Sequence, residues 1–265
     1  MLNSINLVYR KLLLILVLVY VTTYNLNASV KPTLLFYCGI TMVKPMVEIS
    51  KIIEKKHNCN IKIIQGGSKD LYQSLSYSKK GDLYLPGSDS YRNKYLKFGY
   101  LLDYVDIGFN QAAIFTTKGN PKNIENLDNL VDENIGTMLC NPNSGSIGKM
   151  TKNLLIKYKG EDFFDEAYDL TLAISTDSRN LNKSLIDKKV DMTINWRATA
   201  FWPENSPYID IINIDEKYAP KKRLVLNLLS FSKNKDIAKA LMKFTSSPEG
   251  LAIMKKYGFR LDASK

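Results

Sequence analysis

What most constrains this chain is the recurrence of one local pattern: a short apolar run, a turn rich in Gly and Ser, then a stretch with helical periodicity. Leu34-Leu35-Phe36-Tyr37-Cys38 passes through Gly39-Ile40-Thr41 into a helix whose apolar face reads Met42, Met46, Ile49, Ile52 and Ile53, with Pro45 in its first turn. Asn60 to Ile64 passes through Gln65-Gly66-Gly67-Ser68 into a second helix, and Asp82-Leu83-Tyr84-Leu85 ends in Pro86-Gly87-Ser88. Strands alternating with helices specify an α/β architecture with parallel strands, and three loops leave the carboxyl ends of strands in quick succession.

The pattern then restarts. Residues 110 to 118 read as a crossing strand, and a strand from Asn134 to Leu139 runs into Cys140-Asn141-Pro142-Asn143-Ser144-Gly145-Ser146-Ile147-Gly148 and an amphipathic helix to about Lys159. Asp177-Ser178 caps a helix from Arg179 to Lys188, strand Val190 to Asn195 follows, and Leu224 to Phe231 crosses back before a final helical region. The expected organisation is two α/β lobes with a hinge of two crossing segments, lobe 1 comprising residues 29–112 and 224–265 and lobe 2 residues 113–223. A ligand is expected in the crevice at the strand ends.

At the N-terminus, Arg10 and Lys11 precede ten apolar residues, Leu12 to Val21, which is short for a membrane span. Polar residues and Leu26-Asn27-Ala28 follow, so residues 1–28 read as a secretory signal peptide, or as a tether if it is not cut. The first cysteine, Cys38, lies too far along for lipid attachment. The rest is expected to be exported to the periplasm.

The 37 Lys and Arg outnumber the 26 Asp and Glu, yet the lysines are scattered along helical stretches with no dense basic block interleaved with aromatics. That argues against nucleic acid and for a general bias toward small anions. The single histidine, His57, sits in a charged helix end, so no Ser-His or Cys-His arrangement and no two-histidine metal spacing can be completed. No enzyme, no catalytic residue, no metal site and no cofactor is expected. Carboxylates such as Asp82, Asp177 and Asp191 read as caps, turns or solvent faces.

The Gly-Gly-Ser turn, the Gly-Asp-Leu-Tyr-Leu strand, the Asn-Pro-Asn-Ser-Gly-Ser loop, the Val-Asp-Met-Thr-Ile-Asn-Trp strand and the ending from Ser247-Pro248-Glu249-Gly250 to Tyr257-Gly258-Phe259 together resemble the periplasmic molybdate-binding family. The resemblance covers roughly residues 33 to 260, and its strongest match, the ending, is shared with binding proteins for sulfate, phosphate and iron. It implies the two-lobed periplasmic binding protein fold and a monomer that delivers a small oxyanion to an ABC permease in the inner membrane. A sensory binding protein docking on a histidine-kinase ectodomain is the alternative of the same fold.

Thr41 falls where the family's ligand serine stands in its first loop, and Ser68 matches the serine of its Gly-Gly-Ser. Either could instead be an ordinary N-cap. In the second lobe Ser144, Ser146 and the N–H of Ile147 occupy the corresponding helix entrance, where backbone donors suit an anion. Trp196 stands where the family often has Tyr. Arg197 beside it offers a fork for an oxyanion or forms a surface salt bridge. Cys38 and Cys140 sit at strand ends of the two lobes, either as buried packing residues or as thiolates in a thiol-assisted binder of a metalloid or soft metal ion.

Overall fold

The computed structural model describes residues 31–143 and 145–262; the expected signal segment, residues 1–28, and the candidate Ser144 lie outside the described residues. Two five-stranded sheets organise the chain. The first contains β1 (Thr33–Gly39), β2 (Asn60–Gly66), β3 (Leu83–Leu85), β4 (Leu101–Asn110) and β10 (Lys222–Leu229), in the order β2-β1-β3-β10-β4. The second contains β5 (Ala112–Thr117), β6 (Thr137–Cys140), β7 (Ala173–Ser175), β8 (Met192–Trp196) and β9 (Ile209–Asn213), in the order β7-β6-β8-β5-β9. In the first sheet β1 runs parallel to β2 and β3, and in the second β6 runs parallel to β7 and β8; β10 and β5 are antiparallel to their neighbours. This is the α/β, two-lobed periplasmic binding protein fold.

Strand periodicity divides the core of the first sheet into two faces. Leu34, Phe36 and Cys38 of β1 face one cluster, which takes in Met42, Met46, Ile49 and Ile53 of α1 (Val43–His57) and its 3₁₀ entrance. Tyr37 faces the other, with Leu71, Tyr72 and Leu75 of α2 (Ser68–Ser78) and Tyr95 of α3 (Asp89–Tyr95). Ile52 is not on the buried stripe of α1: it is 38% exposed, because the stripe runs 42, 46, 49, 53 and residue 52 lies about 100° round the helix from it. The second sheet buries Leu139, Ile194 and Trp196 against Ile147, Leu154 and Leu155 of α4 (Gly145–Lys159) and Phe163 and Ala167 of α5 (Glu161–Asp169). Leu185 of α6 (Ser178–Ile186) packs on its other face with Phe115 and Ile209.

Asp82 is no solvent-face carboxylate. It is buried and accepts from the Leu35 N–H at 2.8 Å and the Ser232 hydroxyl at 2.6 Å, fastening β1 to the chain beyond β10. The Asp177 side chain caps α6 as the sequence suggests, accepting from the N–H groups of Arg179 and Asn180.

The chain passes from the first sheet to the second at Gln111 and returns through residues 214–221. The Arg197 N–H donates to the Gln111 carbonyl at 2.8 Å and the Gln111 side-chain amide donates to the Ala219 carbonyl at 2.9 Å, so one residue ties both passages to the end of β8. Further bonds bridge the lobes, from Arg179 to Gln65 and from Lys44 to Glu204.

The chain closes with α7 (Lys235–Thr245) and α8 (Pro248–Lys256), where Ser247 caps α8 and Pro248 starts it. Gly250 lies against the end of α7: a Cβ there would stand 2.1 Å from the Phe244 carbonyl oxygen and 2.6 Å from that of Thr245. Because the obstacle is helix backbone, Gly250→Ala should destabilise the fold by about 3 kcal/mol. Urea unfolding of wild type and variant measures this, and equal midpoints would refute the packing argument.

Candidate ligand-binding site

The carboxyl ends of the parallel strands in both sheets open onto one cleft of about 860 Å³. Thr41, Ser68 and Gly87 line it from the first lobe, and Ser146, Ile147 and Trp196 from the second. The sequence-derived candidates Thr41, Ser68, Ser146, Ile147 and Trp196 therefore share one space.

Neither first-lobe hydroxyl caps its own helix. Ser68 is the first residue of α2, whose N-cap is Gly67, and no side chain caps that helix end. The Ser68 Oγ instead accepts the Gly87 N–H at 2.9 Å, which ties the loop after β3 to the entrance of α2. The Thr41 hydroxyl donates to the Met42 sulfur at 2.8 Å, a weak acceptor that an anion would outcompete. In the second lobe the Ser146 Oγ accepts the Trp196 indole N–H at 3.1 Å. Trp196 thus spends its one donor on Ser146 rather than on the cleft space.

These partners fix what the two serines can do. Each Oγ already receives an N–H, so its own proton is available to an acceptor. A Cβ built on Gly87 would lie 3.5 Å from both the Ser68 and the Ser146 oxygen, so one methyl-sized position touches both hydroxyls, one from each lobe. Gly148 allows the second-lobe loop to lie this close to α4: a Cβ there would come within 1.8 Å of the Asn141 carbonyl oxygen.

The charge around this cradle is cationic. Lys69, Lys94, Lys149 and Lys222 line the cleft against Asp70 and Asp177, and Asp177 is engaged by the amides of α6. Tyr91, also on the wall, has its phenol pushed up by burial and by the neighbouring Tyr95 and Asp70, so near neutral pH it is a donor and not an anion.

Three candidates lie elsewhere. The Arg197 fork turns away from the cleft: Nη1 donates to the Gly258 carbonyl at 2.7 Å, the guanidinium stands 4.6 Å from the Phe201 ring centre, and burial together with Arg260 lowers its pKa. Cys38 is fully buried in the first-lobe core, where burial pushes its thiol up, and its sulfur donates to the Gly39 carbonyl. Cys140 is buried in the second-lobe core beneath Tyr168, whose hydroxyl donates to the Cys140 carbonyl at 2.6 Å. Neither sulfur-bearing residue lines the cleft. Among the described residues no group of three His, Cys, Asp or Glu side chains is placed to hold a metal ion.

The sequence reading did not single out Gly87, Lys149, Lys222 or Tyr91 as site residues. Pro86-Gly87-Ser88 was visible as a loop leaving a strand. Nothing local marks a lysine at the start of β10 as facing a cleft.

The profile of the bacterial extracellular solute-binding protein family matches residues 34–260. A curated Haemophilus influenzae binding protein is 21% identical over 238 residues, covering 90% of this chain and 94% of its own. Among solved structures, a periplasmic thiamin-binding protein superposes with a TM-score of 0.74 at 17% identity, covering 90% of this chain and 86% of that one. The periplasmic molybdate-binding protein of Azotobacter vinelandii gives 0.70 at 13%, covering 86% of this chain and 99% of that one. The two solved relatives bind different ligands on one fold, so the fold does not choose the ligand. With its two sheets, its cleft and a profile match spanning both lobes, the chain belongs to the bacterial extracellular solute-binding protein family.

Proposed function

We propose that the protein is a periplasmic solute-binding protein that carries a small, fully oxygenated anion of the molybdate class to an ABC importer. The observation that carries this reading is the polarity of the cradle. The hydroxyls of Ser68 and Ser146 each accept one N–H, which leaves their protons to donate, and they converge on one position beside Gly87. Such a cradle presents two hydroxyl protons to the acceptor oxygens of an anion. The entrances of α2 and α4 add backbone N–H groups, and the surplus of lysine over aspartate on the walls favours negative charge. On this reading residues 1–28 direct export, the protein works as a monomer, and its partner is the membrane permease. The burial of Cys38 and Cys140 away from the cleft weighs against a thiol-assisted ligand.

A thermal-shift and calorimetric panel of molybdate, tungstate, sulfate and phosphate at matched ionic strength tests the class, because a ligand of the folded state raises the melting temperature. At least one oxyanion should do so, and no response to any of them would overturn the proposal. Gly87→Ala gives a sharper test, since the added methyl makes only ordinary contacts with the protein yet occupies the position between the hydroxyls. Affinity for the oxyanion should fall by at least about tenfold, with the melting temperature of the ligand-free protein little changed.

Tryptophan emission supplies an independent reading. Of the two tryptophans, Trp196 lines the cleft and is bonded to Ser146, whereas Trp202 does not line it. Saturation with the bound oxyanion should change the emission of the wild type and leave that of Trp196→Phe unchanged. An identical change in both would place the ligand elsewhere.

A further inference from the structure

Lysines that lie scattered along the sequence are gathered by the fold. Strands β1, β2 and β3 run parallel, and β4 runs with them because β10 is antiparallel to both β3 and β4. The first sheet therefore has one end where four strands start and β10 stops, and the cleft lies at the other end. The segments at the first end are tied together: the Ser230 N–H donates to the Tyr100 carbonyl at 2.9 Å, and the Asn234 side chain to the Thr33 carbonyl at 3.2 Å. Lys31 precedes β1, Lys55 and Lys56 precede β2, and Lys79 and Lys80 precede β3. Lys97 precedes β4, and Lys233 and Lys235 follow β10. All of these lysines are exposed, and among the described residues none of them meets a carboxylate.

Helix ends explain only part of this gathering. Lys55 and Lys56 sit in the last turn of α1 and Lys79 follows the last residue of α2, where the helix dipole favours a cation. Lys235 opens α7, where the dipole disfavours one. Of the carboxylates beside these lysines, Asp82 is buried, Glu54 accepts the Ile61 N–H at 2.7 Å and Asp103 pairs with Lys239; Asp236 is exposed and, among the described residues, unpaired. Five strands at a spacing of about 4.8 Å make this end about 20 Å wide. At its border the 3₁₀ turn Leu96–Phe98 leads into β4 and leaves Leu96 46% and Phe98 52% exposed on either side of Lys97. The Phe98 ring stands 6.4 Å from that of Tyr72 on α2, and Tyr77, near the end of the same helix, is 93% exposed.

We infer that this end of the first lobe is a docking surface for an anionic lipid bilayer. The lysines face the headgroups, and Leu96 and Phe98 enter the boundary between headgroups and acyl chains. Charge complementarity selects a polyanion, and a second copy of the same surface would set lysine against lysine. The apolar pair selects lipid among polyanions, because burial of Leu96 and Phe98 is favourable at the acyl boundary, whereas a nucleic acid duplex presents phosphates and no such boundary. The chain also enters β1 at this end, so the apolar run Leu12 to Val21, wherever it is not removed, is joined to the side of the lobe that carries the lysines. Because the cleft opens at the other ends of the same strands, docking leaves it facing water, and the electrostatic part of the attraction is released by salt.

The test is co-sedimentation with vesicles, using the exported chain from Ser29, which keeps every strand and helix of both sheets. Vesicles of phosphatidylglycerol and phosphatidylcholine in equal parts should bind the protein at least about tenfold more tightly than phosphatidylcholine alone, and high salt should remove the difference. Lys55→Gln, Lys56→Gln, Lys80→Gln and Lys97→Gln together should weaken binding to the anionic vesicles at least about tenfold. The same loss of charge at exposed lysines of the second lobe, Lys122→Gln, Lys152→Gln, Lys157→Gln and Lys217→Gln, should weaken it by less than about threefold. Leu96→Ser with Phe98→Ser should weaken vesicle binding at least about threefold and leave binding to a short DNA duplex unchanged. Equal binding to the two kinds of vesicle overturns the inference, and that comparison needs no variant. An equal loss from the two sets of lysines reduces the attraction to net charge and overturns it too. Vesicle binding untouched by the Leu96 and Phe98 changes assigns the surface to soluble polyanions and overturns the lipid partner.

Discussion

Gln111 stands where the chain first leaves one sheet for the other, and the geometry of the cleft follows from how it is held. Its carbonyl accepts the Arg197 N–H and its side chain donates to the Ala219 carbonyl, so the outgoing strand, the end of β8 and the returning segment meet at one side chain. Each sheet is otherwise packed within its own lobe, the first beneath α1, α7 and α8, the second against α4 and α5. Relative motion of two such bodies is confined to the few residues that join them. The helix entrances that follow strand ends lie on either side of that joint, which is why hydroxyls 78 residues apart in sequence numbering, Ser68 and Ser146, address a single position.

The site uses neutral donors where a fixed charge was available. Arg197 directly follows Trp196 on the cleft wall, yet its fork is bonded to the Gly258 carbonyl. A guanidinium against the ligand would give strong, bidentate attraction and a slow release. Hydroxyls and helix-end amides hold an anion through several directed bonds and leave the lysines of the walls to set the surrounding potential. For a protein that must surrender its ligand, that division separates recognition from electrostatic attraction.

Much of this was legible in the sequence because it is local. A strand, a Gly-Ser turn and a helix entrance occupy about ten consecutive residues, so Ser68 and Ser146 could be placed without knowing their partners, as could the Asp177 cap and the Pro248 helix start. What decides their chemistry is not local. The N–H that Ser68 accepts comes from Gly87, and the one that Ser146 accepts comes from Trp196, fifty residues on. Strand β4 was missed because an exposed edge strand, with burial broken along Leu102, Asp103 and Tyr104, lacks the clean alternation that announces a half-buried one. Cys38 is a different case. It shares strand parity with Leu34 and Phe36, so its inward direction was readable, and its position at a strand end outweighed that signal.

The C-terminal ending acquires a role that its helix-start and helix-stop residues alone did not suggest. Pro248 and Gly258 bracket α8, but Gly258 does more than end it. Its φ of +82° is open to glycine, a Cβ there would lie 2.3 Å from the Phe201 ring, and its carbonyl receives the Arg197 fork. Residues 197–201 form the 3₁₀ turn that follows β8, and Ala198 within it is buried in the first-lobe core although the strand before it belongs to the second sheet. The ending therefore packs against the segment that immediately follows Trp196. The contacts of Gly258 with Phe201 and Arg197 thus stand a few residues from the indole that donates to the Ser146 hydroxyl. The same ending that closes the last helix thus also holds the turn that carries the chain out of the second sheet.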